Sequence, residues 1–165
     1  MGNARYTTVK LLVRTFRDGG YSNLLLDKEL AASDLSKEDK RLCALLYYGV
    51  IERLLTLEHV VQTYSGKPLV KLDDEVRYIL CLGVYQLKYC EGIPARAAVN
   101  ETVKLCGMLR KRSAAGFVNA VLRHFQRDGL EICLEHLDDK TAQQVRWSAP
   151  AALIEKVTAE QGAAF

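Results

Sequence analysis

The stretch from Val76 to Tyr89 constrains this chain most, because it is apolar on every side of a helix. At 100° per residue, Val76, Ile79, Leu80, Gly83, Val84 and Leu87 share one side, and Tyr78, Leu82, Tyr85 and Tyr89 occupy the other. A helix that is apolar all round must be enclosed by other elements. No segment alternates with period two for long, so no sheet is expected to provide that cover. The expectation is an all-α bundle of about six to eight helices, with this segment at its centre.

The flanking segments supply the cover. A first helix is expected from Ala4 to Arg17, with Val9, Leu12, Val13 and Phe16 at helical spacing, and Asp18-Gly19-Gly20 ends it. Ser22 is placed to cap a short second helix through Leu24 to Leu30. Ser36-x-x-Asp39 approximates a capping box at the start of a long third helix, in which Leu42, Leu45, Leu46, Gly49, Val50, Leu57 and Val60 share a face. Gly49 on that face costs about 1 kcal/mol of helix propensity, which a close helix crossing explains. Asp73-Asp74 caps and charges the start of the central helix, and Gly92-Ile93-Pro94 separates it from the next one, whose core face is Val99, Val103 and Cys106. Ser113 is a candidate cap for the helix after that. Weaker amphipathic patterns follow over 130–137 and 141–147.

That capped helix contains Gly116-Phe117-Val118-Asn119-Ala120-Val121-Leu122-Arg123, an apolar run interrupted by an asparagine and an arginine. Phe117, Val118, Val121, Leu122 and Phe125 fall on one arc, and Gly116, Ala120 and Arg123 on the opposite one. The layout suggests packing on two sides, with Gly116 and Ala120 admitting a neighbouring backbone. Asn119 and Arg123 are expected to make a buried polar contact that fixes helix register, with direct RNA contact as the alternative. The octet resembles the signature helix of the NusB-type all-helical domain. The resemblance extends through Leu46-Tyr47-Tyr48-Gly49-Val50, Leu82-Gly83-Val84-Tyr85-Gln86-Leu87, Ile93-Pro94 and Val99-Asn100-Glu101-Thr102-Val103, in order, over about residues 4 to 127. Gly49, Gly83, Asn100, Glu101, Gly116, Phe117, Asn119 and Arg123 are its motif positions. For Asn100 a capping or interhelical hydrogen bond is expected rather than chemistry.

Near residue 138 the character changes. Ser148-Ala149-Pro150 followed by Leu153-Ile154 resembles the segment after the NusB-like module in Sun-type ribosomal RNA cytosine-C5 methyltransferases. The resemblance divides the chain into a NusB-like domain, 1–137, and the start of a helical linker, 138–165. It also implies an N-terminal fragment whose catalytic domain follows Phe165.

Charge points to a ligand. The net charge is only +3, yet residues 1–17 carry Arg5, Lys10, Arg14 and Arg17 without an acid, and residues 102–127 carry Lys104, Arg110, Lys111, Arg112, Arg123 and Arg127 without an acid. Ten of the 23 basic residues lie there, leaving 13 against 20 acids elsewhere, a remainder of −7. An acidic body with two basic segments fits contact with phosphate, and equally two solvated helix faces. The resemblance implies that RNA is met by the N-terminal basic helix, through Arg5, Lys10 and Arg14. Arg110, Lys111 and Arg112 form a second candidate patch. Antitermination members of the family have a denser arginine run than Asn3-Ala4-Arg5-Tyr6, so phosphate contact is expected rather than sequence-specific reading.

Nothing in the sequence supplies a reaction. It has no glycine-rich phosphate loop, no His-Glu-x-x-His and no strand-glycine turn for S-adenosylmethionine. The resembled methyltransferases need a nucleophilic cysteine in a Pro-Cys context, and none of Cys43, Cys81, Cys90, Cys106 or Cys133 follows a proline. These cysteines read as reduced, buried hydrophobes. His59, His124 and His136 are too scattered for a metal site. No run of about 18 apolar residues suggests a membrane helix. The expectation is a non-catalytic, cytoplasmic RNA-binding module, without cofactor or metal of its own, that docks a methyltransferase on 16S ribosomal RNA. S-adenosylmethionine belongs to the missing domain, itself an expected partner. A free-standing NusB-type antitermination factor and a protein interaction module are the alternatives.

Overall fold

The computed structural model describes residues 3–18 and 23–149, and within them every regular element is helical. The order is α1 (Ala4–Arg17), α2 (Asn23–Ala32), α3 (Lys37–Glu52), α4 (Leu54–Ser65), α5 (Asp74–Tyr89), α6 (Ala95–Met108), α7 (Ala115–Asp128), α8 (Glu131–Leu134) and α9 (Asp139–Trp147), with short 3₁₀ turns at Leu69–Lys71 and Arg112–Ala114. The all-α expectation holds. Ser22, Gly19-Gly20 and the Pro150 to Phe165 tail lie outside the described residues.

α5 occupies the centre, as its all-round apolar surface requires. Val76 and every residue from Tyr78 to Gln86 are buried, and α1, α3, α4, α6 and α7 all pack on this one helix. Two glycines set how closely. A Cβ on Gly49 would overlap the phenol ring of Tyr85, so α3 crosses α5 through a gap only glycine leaves. A Cβ on Gly83 would stand 2.6 Å from Cδ2 of Leu122, so α7 seats its leucine directly against the α5 backbone.

Local signals placed several helix starts. Asn3 Oδ1 accepts from the Tyr6 amide at 3.0 Å, and Ser36 Oγ from the Asp39 amide at 3.1 Å. Asp138 Oδ1 accepts from the Thr141 amide at 2.7 Å to open α9. Other expectations are corrected. The long third helix is two helices, broken at Arg53, and Leu45 is 55% exposed rather than on the buried face. Neither glycine nor proline marks that break. It is a packing event: the Arg53 guanidinium lies 4.8 Å from the centre of the Tyr89 ring, and α4 turns to pack on α5, α7 and α9. Ser113 does not cap α7, since it lies inside the preceding 3₁₀ turn and the cap position is Ala114, with no side-chain hydrogen bond. Asp73 stands at the cap of α5 without making a cap bond.

α9, which begins the segment assigned from sequence to a linker, buries Ala142 and Val145 and packs on α4 and α8. The Thr56 hydroxyl donates to the Val145 carbonyl, the Leu55 amide to Ser148 Oγ at 3.2 Å, and Arg146 pairs with Glu131 at 2.9 Å.

Candidate nucleic-acid interface

The two basic stretches, about 100 residues apart in sequence, converge in space. Lys10, Arg14 and Arg17 project from one face of α1, and with Glu75 of α5 and Leu109 they line a concavity of about 190 Å³. Leu109 ends α6, and the chain then turns through Arg110, whose backbone is left-handed at φ 61°, into Lys111 and Arg112. The first turn of α5 lies between the two segments. Arg17 Nη2 is 3.2 Å from Asp74 and 3.6 Å from Glu75, while Lys111 Nζ is 3.2 Å from Asp73 and 3.9 Å from Glu75. Glu75 thus carries one basic segment on each carboxylate oxygen.

The cations at this surface differ in how free they are. Arg14 is paired with Glu29 at 3.0 Å, and the Asp74 carboxylate beside Arg17 holds its guanidinium above the ordinary value. Lys10 is exposed with its ammonium 5.2 Å from the centre of the Tyr6 ring, and it makes no ion pair among the described residues. Arg110 and Arg112 are likewise exposed without an ion pair there. Of the six cations at this surface, Lys10, Arg110 and Arg112 are thus exposed without an ion pair among the described residues, and Arg14, Arg17 and Lys111 are engaged by carboxylates.

Arg5 belongs to a different setting. It is half-buried, its Nε donates to Gln86 Oε1 at 2.7 Å, and burial pulls its pKa below the ordinary guanidinium value against the opposing pull of Glu101. Gln86, 1% exposed, in turn donates to the Leu82 carbonyl at 3.1 Å and to Thr102 Oγ1 at 2.9 Å. Arg5 therefore fastens α1 to α5 and α6. Sequence reasoning gave Gln86 no role beyond its place in a family-like segment, although a lone amide at the end of the buried run from Tyr78 to Gln86 is a visible signal.

The remaining motif positions form a second region. Asn100, Glu101 and Asn119 line a groove between α6 and α7. Asn100 is exposed and makes no side-chain hydrogen bond among the described residues, which corrects the interhelical role. Arg123 Nε donates to Asn119 Oδ1 at 3.2 Å, but this pair is exposed and within one helix, so it fixes no register. Gly116 and Ala120 are exposed too, and a Cβ on Gly116 would meet nothing within 4 Å. α7 packs on one side only, through Val118, Val121, Leu122 and Phe125, while Phe117 is partly buried under Lys67.

The cysteines lie in the packed interior or at its edge, and two of the three histidines have partners within the fold. Cys43, Cys81, Cys106 and Cys133 are buried, Cys90 is half-buried, and burial raises the pKa of all five thiols. His59 Nε2 bonds the Cys133 carbonyl at 2.9 Å, and His124 lies 2.9 Å from Asp128. No group of three metal-ligating side chains occurs among the described residues, and no described helix is long and apolar enough to cross a membrane.

Comparison with known proteins gives a consistent picture. The NusB family model matches residues 2–127. The chain is 33% identical over 128 residues to the Bacillus subtilis (strain 168) protein named "Probable ribosomal RNA small subunit methyltransferase B", a match covering 78% of this chain and 28% of that protein. It is 34% identical over 130 residues to ribosomal RNA small subunit methyltransferase B of Photorhabdus laumondii, covering 79% of this chain and 30% of that protein. The chain thus spans less than a third of the length of these curated relatives. Among solved structures it resembles a crystal structure of antitermination factors NusB and NusE in complex with dsRNA, with a TM-score of 0.69 at 19% identity, covering 75% of this chain and 93% of that one. T. maritima NusB gives a TM-score of 0.66 at 21% identity, covering 80% and 94%. At these identities the structural likeness concerns the fold.

Proposed function

This chain belongs to the NusB family, and we propose that it is the non-catalytic RNA-binding module of a cytoplasmic ribosomal RNA small subunit methyltransferase. The observation that carries this reading is the meeting of two acid-free basic segments on either side of Glu75. In this reading Lys10, Arg110 and Arg112 contact phosphate directly, and Arg14, Arg17 and Lys111 follow by exchanging carboxylate for phosphate. The module raises the local concentration of 16S ribosomal RNA at a tethered catalytic domain and orients it. That domain, not this bundle, supplies S-adenosylmethionine and the cysteine nucleophile for methyl transfer to cytosine C5.

Relatives at 33–34% identity carry methyltransferase names, whereas the NusB structures lie near 20%, which favours this reading over a free-standing antitermination factor. The test is affinity for small-subunit ribosomal RNA across a salt series. Binding should weaken steeply with salt, and R110A/R112A should flatten the log–log slope by about 1.5, near 0.7–0.9 per lost contact. A flat response, or no binding at low salt, overturns the proposal.

A further inference from the structure

Ser113 closes the run Arg110-Lys111-Arg112-Ser113, and its hydroxyl differs from those of the other described serines. Ser33 donates to the Leu30 carbonyl at 2.8 Å, Ser36 caps α3, Ser65 accepts from the Lys67 amide at 3.1 Å, and Ser148 accepts from the Leu55 amide at 3.2 Å. Ser113 is exposed, caps no helix and makes no hydrogen bond among the described residues. With Lys67, Lys71 and Asp73 it lines an open cavity of about 320 Å³, which leaves space around its oxygen for a larger group.

The backbone around it is open to an enzyme. Ser113 sits in a single 3₁₀ turn, closed by the Ala114 amide on the Lys111 carbonyl at 2.9 Å and entered through the left-handed Arg110. So short and exposed a turn opens at little cost. Three basic residues directly before a hydroxyl also offer charge complementarity to an acidic substrate cleft. We infer that Ser113 is a phosphorylation site, modified by an ATP-dependent serine kinase that selects basic residues on the N-terminal side, and that its phosphate closes the basic surface to RNA. In the transfer, Ser113 Oγ bonds the γ-phosphorus, the bond from that phosphorus to the β–γ bridging oxygen breaks, ADP leaves, and the hydroxyl proton passes to the kinase's carboxylate base. The product adds a charge of about −1.5 to −2 beside Arg110 and Arg112, two of the exposed cations without an ion pair among the described residues. These guanidiniums then pair with the chain's own phosphate in place of the RNA's. The same charge stands one residue before the cap position of α7, a helix with no acid in its first turn and no side-chain cap, so the modified fold is the more stable one. The inference rests on the RNA-binding reading and adds a means of switching it off.

The experiment has two arms. In the first, the chain is incubated with ATP and the catalytic subunit of cyclic-AMP-dependent protein kinase, a serine kinase that selects basic residues, and the phosphate is located by mass spectrometry. Ser113 should take it up, and R110A/R112A should do so at least about tenfold more slowly. In the second, phosphoserine is placed at position 113 by codon reassignment. Affinity for small-subunit ribosomal RNA should fall about tenfold at low salt, and the log–log salt slope should flatten by about 1.5. The thermal midpoint should rise by about 1–4 °C. In an R110A/R112A background the phosphate should change affinity by no more than about twofold, and S113A should bind RNA like the unaltered chain. No phosphate on Ser113, an unchanged RNA affinity, the same loss in both backgrounds, or a loss that comes with a lowered midpoint overturns the inference while the RNA-binding reading stands. An unmodified chain that binds no RNA at low salt overturns both.

Discussion

Arg5 donates from Nε to Oε1 of Gln86 across 2.7 Å, joining the first helix to the central one through a residue expected to meet RNA. The amide of Gln86 passes the link on to Thr102 in α6, so three helices share one polar relay inside an apolar bundle. Removing Gln86 strands a half-buried guanidinium and a buried hydroxyl together. Gln86→Leu should destabilise the fold by about 1–3 kcal/mol in urea unfolding. Arg5→Ala should also lower stability while changing the salt slope of RNA binding by less than either Arg110→Ala or Arg112→Ala.

The crossing of α3 over α5 has no room for a methyl group. Gly49→Ala should cost about 1–3 kcal/mol through overlap with the Tyr85 ring. In a Tyr85→Ala background most of that cost should vanish, and a double-mutant cycle by urea denaturation measures the coupling.

Glu75 stands between Arg17 and Lys111 and competes with any incoming phosphate. Glu75→Gln should therefore tighten RNA binding, by about threefold to tenfold at low salt, and the gain should fade as salt rises. Titrations at two salt concentrations check both parts.

Stability should fall on the alkaline side. Burial raises the pKa of all five thiols, and of Tyr78 to about 12, with Tyr64, Tyr85 and Tyr89 raised as well. The unfolded chain releases these protons first. The contribution is therefore complete below the ordinary thiol pKa of about 8.5 and is lost progressively as pH rises above it. Urea midpoints at pH 7, 8.5 and 10 should decline in that order, with the larger drop in the second step.

Much of this arrangement was legible in the sequence. Apolar residues on every side of 76–89 required a central helix, and Gly49 marked a close approach because a helix interior penalises glycine without compensation, whereas the seat of Leu122 against Gly83 came only from the structure. The charge pattern identified both halves of the basic surface. What periodicity could not show was the break at Arg53, where the 3.6-residue pattern runs on while α4 turns to pack on α5, α7 and α9. Gly116 and Ala120 misled for a related reason: small residues on one arc fit a tight contact and an exposed face equally well. The roles of Arg5 and Glu75 depend on partners from other helices, and such pairings have no periodic trace.

The left-handed backbone at Arg110 gives one residue two opposed demands. A conformation natural to glycine costs a side-chain-bearing residue on the order of 1 kcal/mol. Arg110→Gly should consequently yield a more heat-resistant protein that holds RNA less well, a trade-off between durability and recognition compressed into a single peptide unit. Selection for durability alone would have no reason to keep arginine at that turn.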